Sequence, residues 1–216
     1  MVTVRLTMLC ATATPGSPGR VFGDGLPGKD GRSEAIAALP PYARALRAPS
    51  VRCARIAEAL AVEAAPEDAL RDLDYGAWEG RLLQDIAAED PHGLSTWLRD
   101  PRAAPHGGES VARLCARTAA WLTALPAGPG RVLAITEAPV VRAALVHALA
   151  IPARAFWQLR VPPLSTVTLT LSEGHWTARL GRPAAPRRPS TAEEAVPVAA
   201  LTLRAGRERL CLAARS

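Results

Sequence analysis

Cys10 is a reactive residue type at a position in the sequence where ligands could bind. It follows an alternating and then apolar run over residues 3–9, which predicts a strand, so it would lie at the carboxyl end of that strand, where open α/β sheets bind ligands. The other cysteines, Cys53, Cys115 and Cys211, are widely spaced and form no CxxC or CxxH pair. The sequence therefore indicates neither a zinc site nor a disulfide framework, and we expect no metal and no cofactor.

The elements that must position such a side chain alternate between strands and helices. Residues 12–31, rich in Gly, Pro and Thr, have no helical period and predict a long functional loop. The last two predicted strands are joined as an antiparallel hairpin, and the order of the rest predicts a mostly parallel sheet with helices on both faces. Strands are predicted over residues 3–9, 43–46, 70–73, 131–136, 166–171 and 176–180, and helices over 32–39, 50–64, 82–88, 93–98, 109–125 and 139–149.

Length and charge narrow the class of protein. The 216 residues are enough for one sizeable domain, and a hydrophobic fraction of 49% can bury a core. The net charge is +6, but the six arginines and three glutamates of residues 183–216 supply +3 of it, so the rest of the chain is close to balanced. Lys29 is the only lysine beside 25 arginines, which is typical of a high-GC bacterial genome. We therefore expect no binding to nucleic acid.

The apolar runs are about half the roughly 20 residues that a bilayer requires, so no membrane span or membrane partner is expected. The start of the chain carries no apolar stretch with a small-residue cleavage site, which predicts no signal peptide and a cytoplasmic protein.

Two parts of unequal length are predicted. Residues 1–182 form the folded domain, and residues 183–216 form a linker rich in Pro and Arg followed by a tail. Within the tail, residues 198–203 and 209–213 alternate as a hairpin would. The tail could pair with a sheet edge, contact a second subunit in a homodimer, or be disordered.

Four segments together resemble the histidine phosphatase superfamily, the phosphoglycerate-mutase-like fold. The resemblance spans about residues 3–182, with the segments in order and at the family's spacing, and it implies a three-layer α/β/α sandwich. LRDLDYGAWEG (residues 70–80) is similar to the family's L–D–G–WEG segment, PHGGES (105–110) to its P–GES segment, APSVRCARIA (48–57) to its SP–RA–QTA helix, and PPLS (162–165) to its late P–S strand entry.

The chain differs from the family at the positions of the family's catalytic residues. There, a first strand ending in RHG or RHA supplies a phosphate-binding Arg and the His that becomes phosphorylated, and a second His follows a later strand. The resemblance places Cys10 at the Arg position, Ala11 at the nucleophilic His position and Glu137 at the second His position. Alanine cannot attack phosphorus, so we expect no phosphohistidine intermediate. None of His92, His106, His147 and His175 falls on either position.

The resemblance also assigns Arg52 to a phosphate-binding position and Glu109 to the family's acid/base Glu. A phosphate dianion would then face Arg52 opposite Glu109 and Glu137, and each like-charge pair disfavours binding by about 1–4 kcal/mol. Three alternatives follow for the pocket. Glu137 could pair with Arg52 and fill the phosphate site, Glu109 and Glu137 could act as an acid/base pair on a non-phosphorylated substrate, or the pocket could bind a cation.

Cys10 itself allows two interpretations. Near Arg52 the pKa of its thiol could fall and make it a nucleophile, although Glu137 would oppose that shift and no His is placed to serve as a base. The alternative is a small, partly buried thiol without a catalytic role. A redox pair with Cys53 would require the Cys53 side chain to turn inward.

The other ligand-binding candidates have plainer alternatives. Ser110 is expected to cap or line the start of its helix, Thr12 to bond its turn, and Trp78, with Tyr75, to form packing or a cleft wall. His106, in a loop flanked by glycine, would either enter the cleft or be exposed to solvent.

Ala11 would line the pocket. Arg20 and Arg142 would supply the missing cation only if they point inward, and the alternative is that both lie at the surface.

The sequence thus predicts a diverged histidine-phosphatase-like protein with a small-molecule cleft. The cleft is either repurposed for acid/base catalysis by Glu109 and Glu137 or belongs to a non-catalytic module that binds a ligand or a protein. Residual phosphatase or phosphoglycerate-mutase-like activity by another route is the third alternative, so the sequence leaves open whether the protein is an enzyme.

Overall fold

A computed structural model describes residues 3–11, 22, 41–128 and 130–181 of the chain. The helices are α1 (Val51–Ala59), α2 (Leu83–Glu89), α3 (Pro91–Arg99), α4 (Val111–Ala124) and α5 (Ala138–Ala148), and 3₁₀ turns cover Asp68–Leu70, Gly76–Trp78 and Ala153–Gln158. The strands are β1 (Thr3–Cys10), β2 (Arg44–Arg47), β3 (Ala65–Pro66), β4 (Arg131–Thr136), β5 (Thr166–Ser172) and β6 (His175–Gly181). Within these elements no helix is long and apolar enough to cross a bilayer.

The six strands form one sheet in the order β3-β2-β4-β1-β5-β6. Strand β4 runs parallel to both β1 and β2, whereas β5 is antiparallel to β1 and β6 is antiparallel to β5. In this register Cys10 lies opposite Thr136, and Arg47 lies opposite Ile135. The carboxyl ends of β1, β2 and β4 therefore meet at one edge of the sheet, which is where ligands bind in such folds.

The sheet is covered on both faces. Every residue from Val132 to Thr136 is buried, and successive strand residues point to opposite faces, so β4 contacts packed layers on both sides. Helix α1 contacts β2 and β4, α5 contacts β1 and β6, and α4 packs on α5. The predicted α/β architecture with a mostly parallel sheet is confirmed.

Two predicted elements differ from the observed ones. The helix predicted over 50–64 ends at Ala59, because Ala61 adopts a left-handed conformation at φ 52°. Residues 70–73 are not a strand: their carbonyl groups accept hydrogen bonds from two side chains, Arg117 and Thr136, instead of from a neighbouring strand. The helix predicted over 32–39 and the tail over 183–216 lie outside the described residues.

Candidate functional site

The sheet edge brings together three of the predicted site residues. Cys10 is the last residue of β1, and the backbone N–H of Ala11 donates to the carbonyl oxygen of Thr136 at 2.7 Å, so the chain after β1 stays beside the end of β4. Glu137 follows β4 and is the N-cap residue of α5. All three side chains are buried. The edge therefore presents a thiol, a methyl group and a carboxyl group side by side.

Glu137 is held in place by the start of α1. Ser50 Oγ donates a hydrogen bond to Glu137 Oε1 at 2.6 Å, and Cys53 Sγ donates to the same oxygen at 3.3 Å. Ser50 also caps α1, since its Oγ accepts from the Cys53 backbone N–H at 3.1 Å. Ser50 is not among the site residues predicted from the sequence, although a serine just before a helical period that follows a parallel strand is a usable signal.

The pKa of Cys10 favours one of its two interpretations. Burial raises the pKa of its thiol to about 12, and Glu137 and Asp72 add to the increase, while Arg142 and Arg52 lower it. The thiol is therefore protonated at neutral pH. This agrees with the alternative of a buried thiol without a nucleophilic role.

Cys53 does turn inward, but toward Glu137. Burial raises the pKa of its thiol, and the neighbouring carboxyl group of Glu137 raises it further. Cys10 and Cys53 are both free thiols. The structure thus assigns Cys53 a hydrogen bond to Glu137, and a redox pair stays a prediction without a supporting contact.

Arg142 is half-buried and lies close enough to the sheet edge to lower the pKa of the Cys10 thiol, which favours the inward-pointing alternative over the surface one. Its Nε donates to the carbonyl oxygen of Leu159 at 3.0 Å, and its guanidinium lies 5.8 Å from the ring centroids of both Phe156 and Trp157. Among the charges near Cys10 it has the largest lowering effect on the pKa of the thiol. Arg52, in the first turn of α1, lowers the same pKa less. Two cations therefore flank the sheet edge.

Glu109 has a partner of its own. Arg117 Nη2 donates to Glu109 Oε2 at 2.8 Å and Arg117 Nε donates to Oε1 at 3.0 Å, which is a bidentate ion pair, and both side chains are largely buried. In the described part of the chain no hydrogen bond joins Glu109 to Glu137. The predicted sharing of a proton between the two glutamates stays a prediction with no contact to support it.

Two glycines fix the loop that carries Glu109. A Cβ on Gly76 would collide with the carbonyl oxygen of His106, and a Cβ on Gly108 would collide with that of Asp74. Backbone hydrogen bonds join the segment around Gly76 to the segment around Gly108. Glu109 N donates to Asp74 O at 2.8 Å, and Ala77 N donates to His106 O at 2.8 Å. Gly76 of the GAWEG segment and Gly108 of the GGES segment are thus required by close backbone contact.

His106 is buried, so the alternative of a solvent-exposed side chain is wrong. Its ring lies 5.1 Å from that of Trp78 and 5.8 Å from that of Trp97, and burial lowers its pKa. Its Nδ1 accepts from the Gly108 N–H at 3.0 Å. Trp78 also packs against Phe22, as expected of a packing residue.

Ser110 caps α4 by accepting from the Arg113 N–H at 3.3 Å, as predicted. Thr12 and Arg20 lie outside the described residues. Among the residues that are described, no group of three His, Cys, Asp or Glu side chains is arranged to hold a metal ion.

Residues 33–182 match the sequence model of the histidine phosphatase superfamily (branch 1). The chain belongs to this superfamily. A curated relative, a bifunctional protein of Mycobacterium tuberculosis, is 43% identical over 54 residues, which are 25% of this chain and 15% of that protein's length.

Two solved structures share the fold of this superfamily member over most of its length. The alpha-ribazole phosphatase from Shigella flexneri has a TM-score of 0.71 at 18% identity and covers 87% of this chain and 100% of its own. The mycobacterial glucosyl-3-phosphoglycerate phosphatase has a TM-score of 0.69 at 22% identity, with coverage of 85% and 99%. At these identities the likeness concerns the fold.

Proposed function

We propose that this histidine phosphatase superfamily member forms no phosphohistidine, and that its sheet-edge pocket binds a small non-phosphorylated ligand with which Glu137 exchanges a proton. One observation carries the proposal: the carboxyl ends of β1 and β4 hold Cys10, Ala11 and Glu137, where the resemblance of the sequence requires an arginine and two histidines.

Neither Cys10 nor Ala11, the residues at the predicted arginine and histidine positions after β1, can replace the missing imidazole as a nucleophile toward phosphorus. Ala11 offers a methyl group, and the pKa of about 12 keeps the Cys10 thiol protonated. His106 packs among aromatic rings, and His92, His147 and His175 lie on α3, α5 and β6 rather than after β1 or β4.

The charges at the edge also disfavour a phosphate dianion. Arg52 and Arg142 are offset by Glu137 and Asp72, and Glu137 is fixed by its bond from Ser50. A dianion within a few ångströms of this carboxylate would lose about 1–4 kcal/mol of binding free energy. A neutral or zwitterionic ligand avoids that repulsion.

We assign the proton exchange to Glu137 rather than to a pair with Glu109. Glu109 would have to leave Arg117 to reach a ligand, and breaking a buried ion pair costs about 3–5 kcal/mol. Glu137 accepts hydrogen bonds from Ser50 and Cys53, and the Thr136 hydroxyl lies 3.5 Å from its Oε2. These donors are neutral, so a proton transfer at Glu137 would break no ion pair with them.

The second candidate is a module that binds without catalysis. It is supported by the same contacts, because Ser50 and Cys53 satisfy Glu137 from within the protein. In such a module Glu137→Gln would change ligand affinity but no rate. The predicted homodimer and the use of the 183–216 tail as a partner contact belong to this candidate, and light scattering of the full chain and of a chain ending at residue 182 would test both.

Oxyanion binding tests the proposal. We expect orthovanadate at millimolar concentration to leave the melting temperature of the protein unchanged. In the triple variant Cys10→Arg, Ala11→His, Glu137→His, vanadate should raise the melting temperature, because a ligand that binds only the folded state stabilises it. Equal stabilisation of the unmodified protein would contradict the proposal.

A further inference from the structure

We propose that Ser50 is a nucleophile and Glu137 its general base in the hydrolysis of a small, neutral carboxylic ester. The inference rests on the proposed function, since it uses the same pocket and the same proton-exchanging carboxylate. It adds a reaction, a substrate class and a residue that the resemblance to the superfamily does not assign.

The pair has the geometry of an activated nucleophile. Ser50 Oγ donates to Glu137 Oε1 at 2.6 Å, within the range expected for a nucleophile and its base. Ser50 is partly exposed, so a substrate can reach its oxygen, whereas Glu137 is 2% exposed and is shielded from water. Cys53 Sγ, at 3.3 Å from Oε1, is the third group that orients the base.

The start of α1 suits the charge that such a reaction develops. Ser50 is the N-cap of this nine-residue helix, and the first backbone N–H groups of a helix have no partner within it. The positive end of the helix dipole and the side chain of Arg52 lie in the same turn. An oxyanion formed by attack at Ser50 would therefore arise next to donors and positive charge, which is the requirement for its stabilisation.

The reaction balances with water as the second reactant. Ser50 Oγ forms a bond to the ester carbonyl carbon while its proton passes to Glu137 Oε1, giving a tetrahedral oxyanion. When the oxyanion collapses, the bond to the alcohol oxygen breaks, and this oxygen takes the proton from Glu137. Water then attacks the acyl-Ser50 ester and gives a proton to Glu137, and the departing Ser50 oxygen recovers it, which releases a carboxylic acid.

The substrate class follows from the charges at the edge. Glu137 repels an anionic phosphoester, as argued above, whereas a neutral ester brings no charge of its own to the buried carboxylate.

The test uses the full chain with two probes, a fluorophosphonate and p-nitrophenyl butyrate. We expect the fluorophosphonate to modify Ser50, as read by mass spectrometry of the peptide that contains it, and the butyrate to be hydrolysed. Ser50→Ala should abolish the labelling and lower kcat/KM by about 100-fold or more, as expected when a nucleophile is removed. Glu137→Gln should lower kcat similarly, because the amide cannot accept the Ser50 proton.

Asp90→Ala is the matched control for loss of a helix cap. Asp90 caps α3 by accepting from the Gly93 N–H at 2.8 Å, as Ser50 caps α1, but it lies outside the pocket. This variant should keep both labelling and hydrolysis, and Ser50→Thr, which retains a hydroxyl, should recover part of the rate lost in Ser50→Ala.

Absence of both labelling and hydrolysis in the unmodified protein would overturn the inference, and so would hydrolysis that survives Ser50→Ala. Either result leaves the proposed function standing if vanadate still fails to stabilise the protein. Stabilisation of the unmodified protein by vanadate would instead overturn the proposed function.

Discussion

The two glutamates that the sequence analysis placed in one pocket lie in different chemical surroundings. Glu109 is bound on both oxygens by one guanidinium, from Arg117. Glu137 accepts hydrogen bonds from neutral groups, the Ser50 hydroxyl and the Cys53 thiol, and the Thr136 hydroxyl lies 3.5 Å from its Oε2. A buried carboxylate paired with arginine cannot leave its partner cheaply, whereas one held by neutral donors has no ion pair with those donors to break. The comparison therefore separates a Glu109 region held by an ion pair from a Glu137 region held by neutral hydrogen bonds, where we propose the chemistry.

Removing the guanidinium should give the largest effect in the Glu109 region. Arg117→Ala leaves the buried Glu109 carboxylate unpaired and also removes the donor to the carbonyl oxygen of Ala69, at 2.8 Å. We expect the free energy of unfolding to fall by about 3–5 kcal/mol, measured by urea denaturation. Arg81→Ala removes an ion pair with Glu89 at the protein surface, so it should change stability little. Similar losses in the two variants would show that Arg117 has no special role.

The stability of the protein at high pH should depend on the two thiols of the Glu137 region, Cys10 and Cys53. The pKa of Cys10 is raised from 9.0 to about 12, and that of Cys53 is also raised, so the folded protein retains protons that the unfolded chain loses above pH 9. This contribution to stability is fully present below pH 9 and is lost as the pH rises toward 12, by about 1.4 kcal/mol per pH unit for each thiol. Denaturation curves from pH 8 to 10.5 measure the slope.

The double variant Cys10→Ala, Cys53→Ala should have a flatter profile of stability against pH over the same range. An unchanged slope would mean that other groups cause the alkaline loss of stability.

The pattern of residues in the sequence predicted which strand ends meet at the sheet edge. Cys10, Ala11 and Glu137 each follow a strand whose alternation or apolar run is visible in the sequence, and parallel pairing brings such strand ends together. The contacts that distinguish the two glutamates could not be predicted in this way. Ser50 and Glu137 are 87 positions apart in the sequence. Arg117 lies within α4 and reaches back to Glu109, which is eight positions earlier and precedes the helix. Those distances depend on loop geometry that no periodicity encodes.

Alanine substitution of two glycines tests whether the loop that carries Glu109 depends on close backbone contact. The expected effect is smaller than that of Arg117→Ala. Gly76 and Gly107 both have positive φ, 49° and 76°, but only at Gly76 would an added methyl group meet backbone, the carbonyl oxygen of His106. Both alanine variants suffer the strain of a left-handed conformation, of order 1–3 kcal/mol. Gly76→Ala should be destabilised further than Gly107→Ala, by about 1–3 kcal/mol, the usual range for overpacking. Equal losses of stability in the two variants, measured by thermal denaturation, would show that the loops can move apart at no cost in free energy.

The most direct measurement concerns the alanine at the end of β1. The full chain would be incubated with a phosphomonoester carrying a radioactive phosphoryl group, quenched under alkaline conditions that preserve phosphohistidine, and assayed for released phosphate and protein-bound label. With Ala11 and Glu137 at this edge, we predict neither label on the protein nor phosphate release above the rate in buffer. Rapid release of phosphate together with label on a histidine would contradict the account.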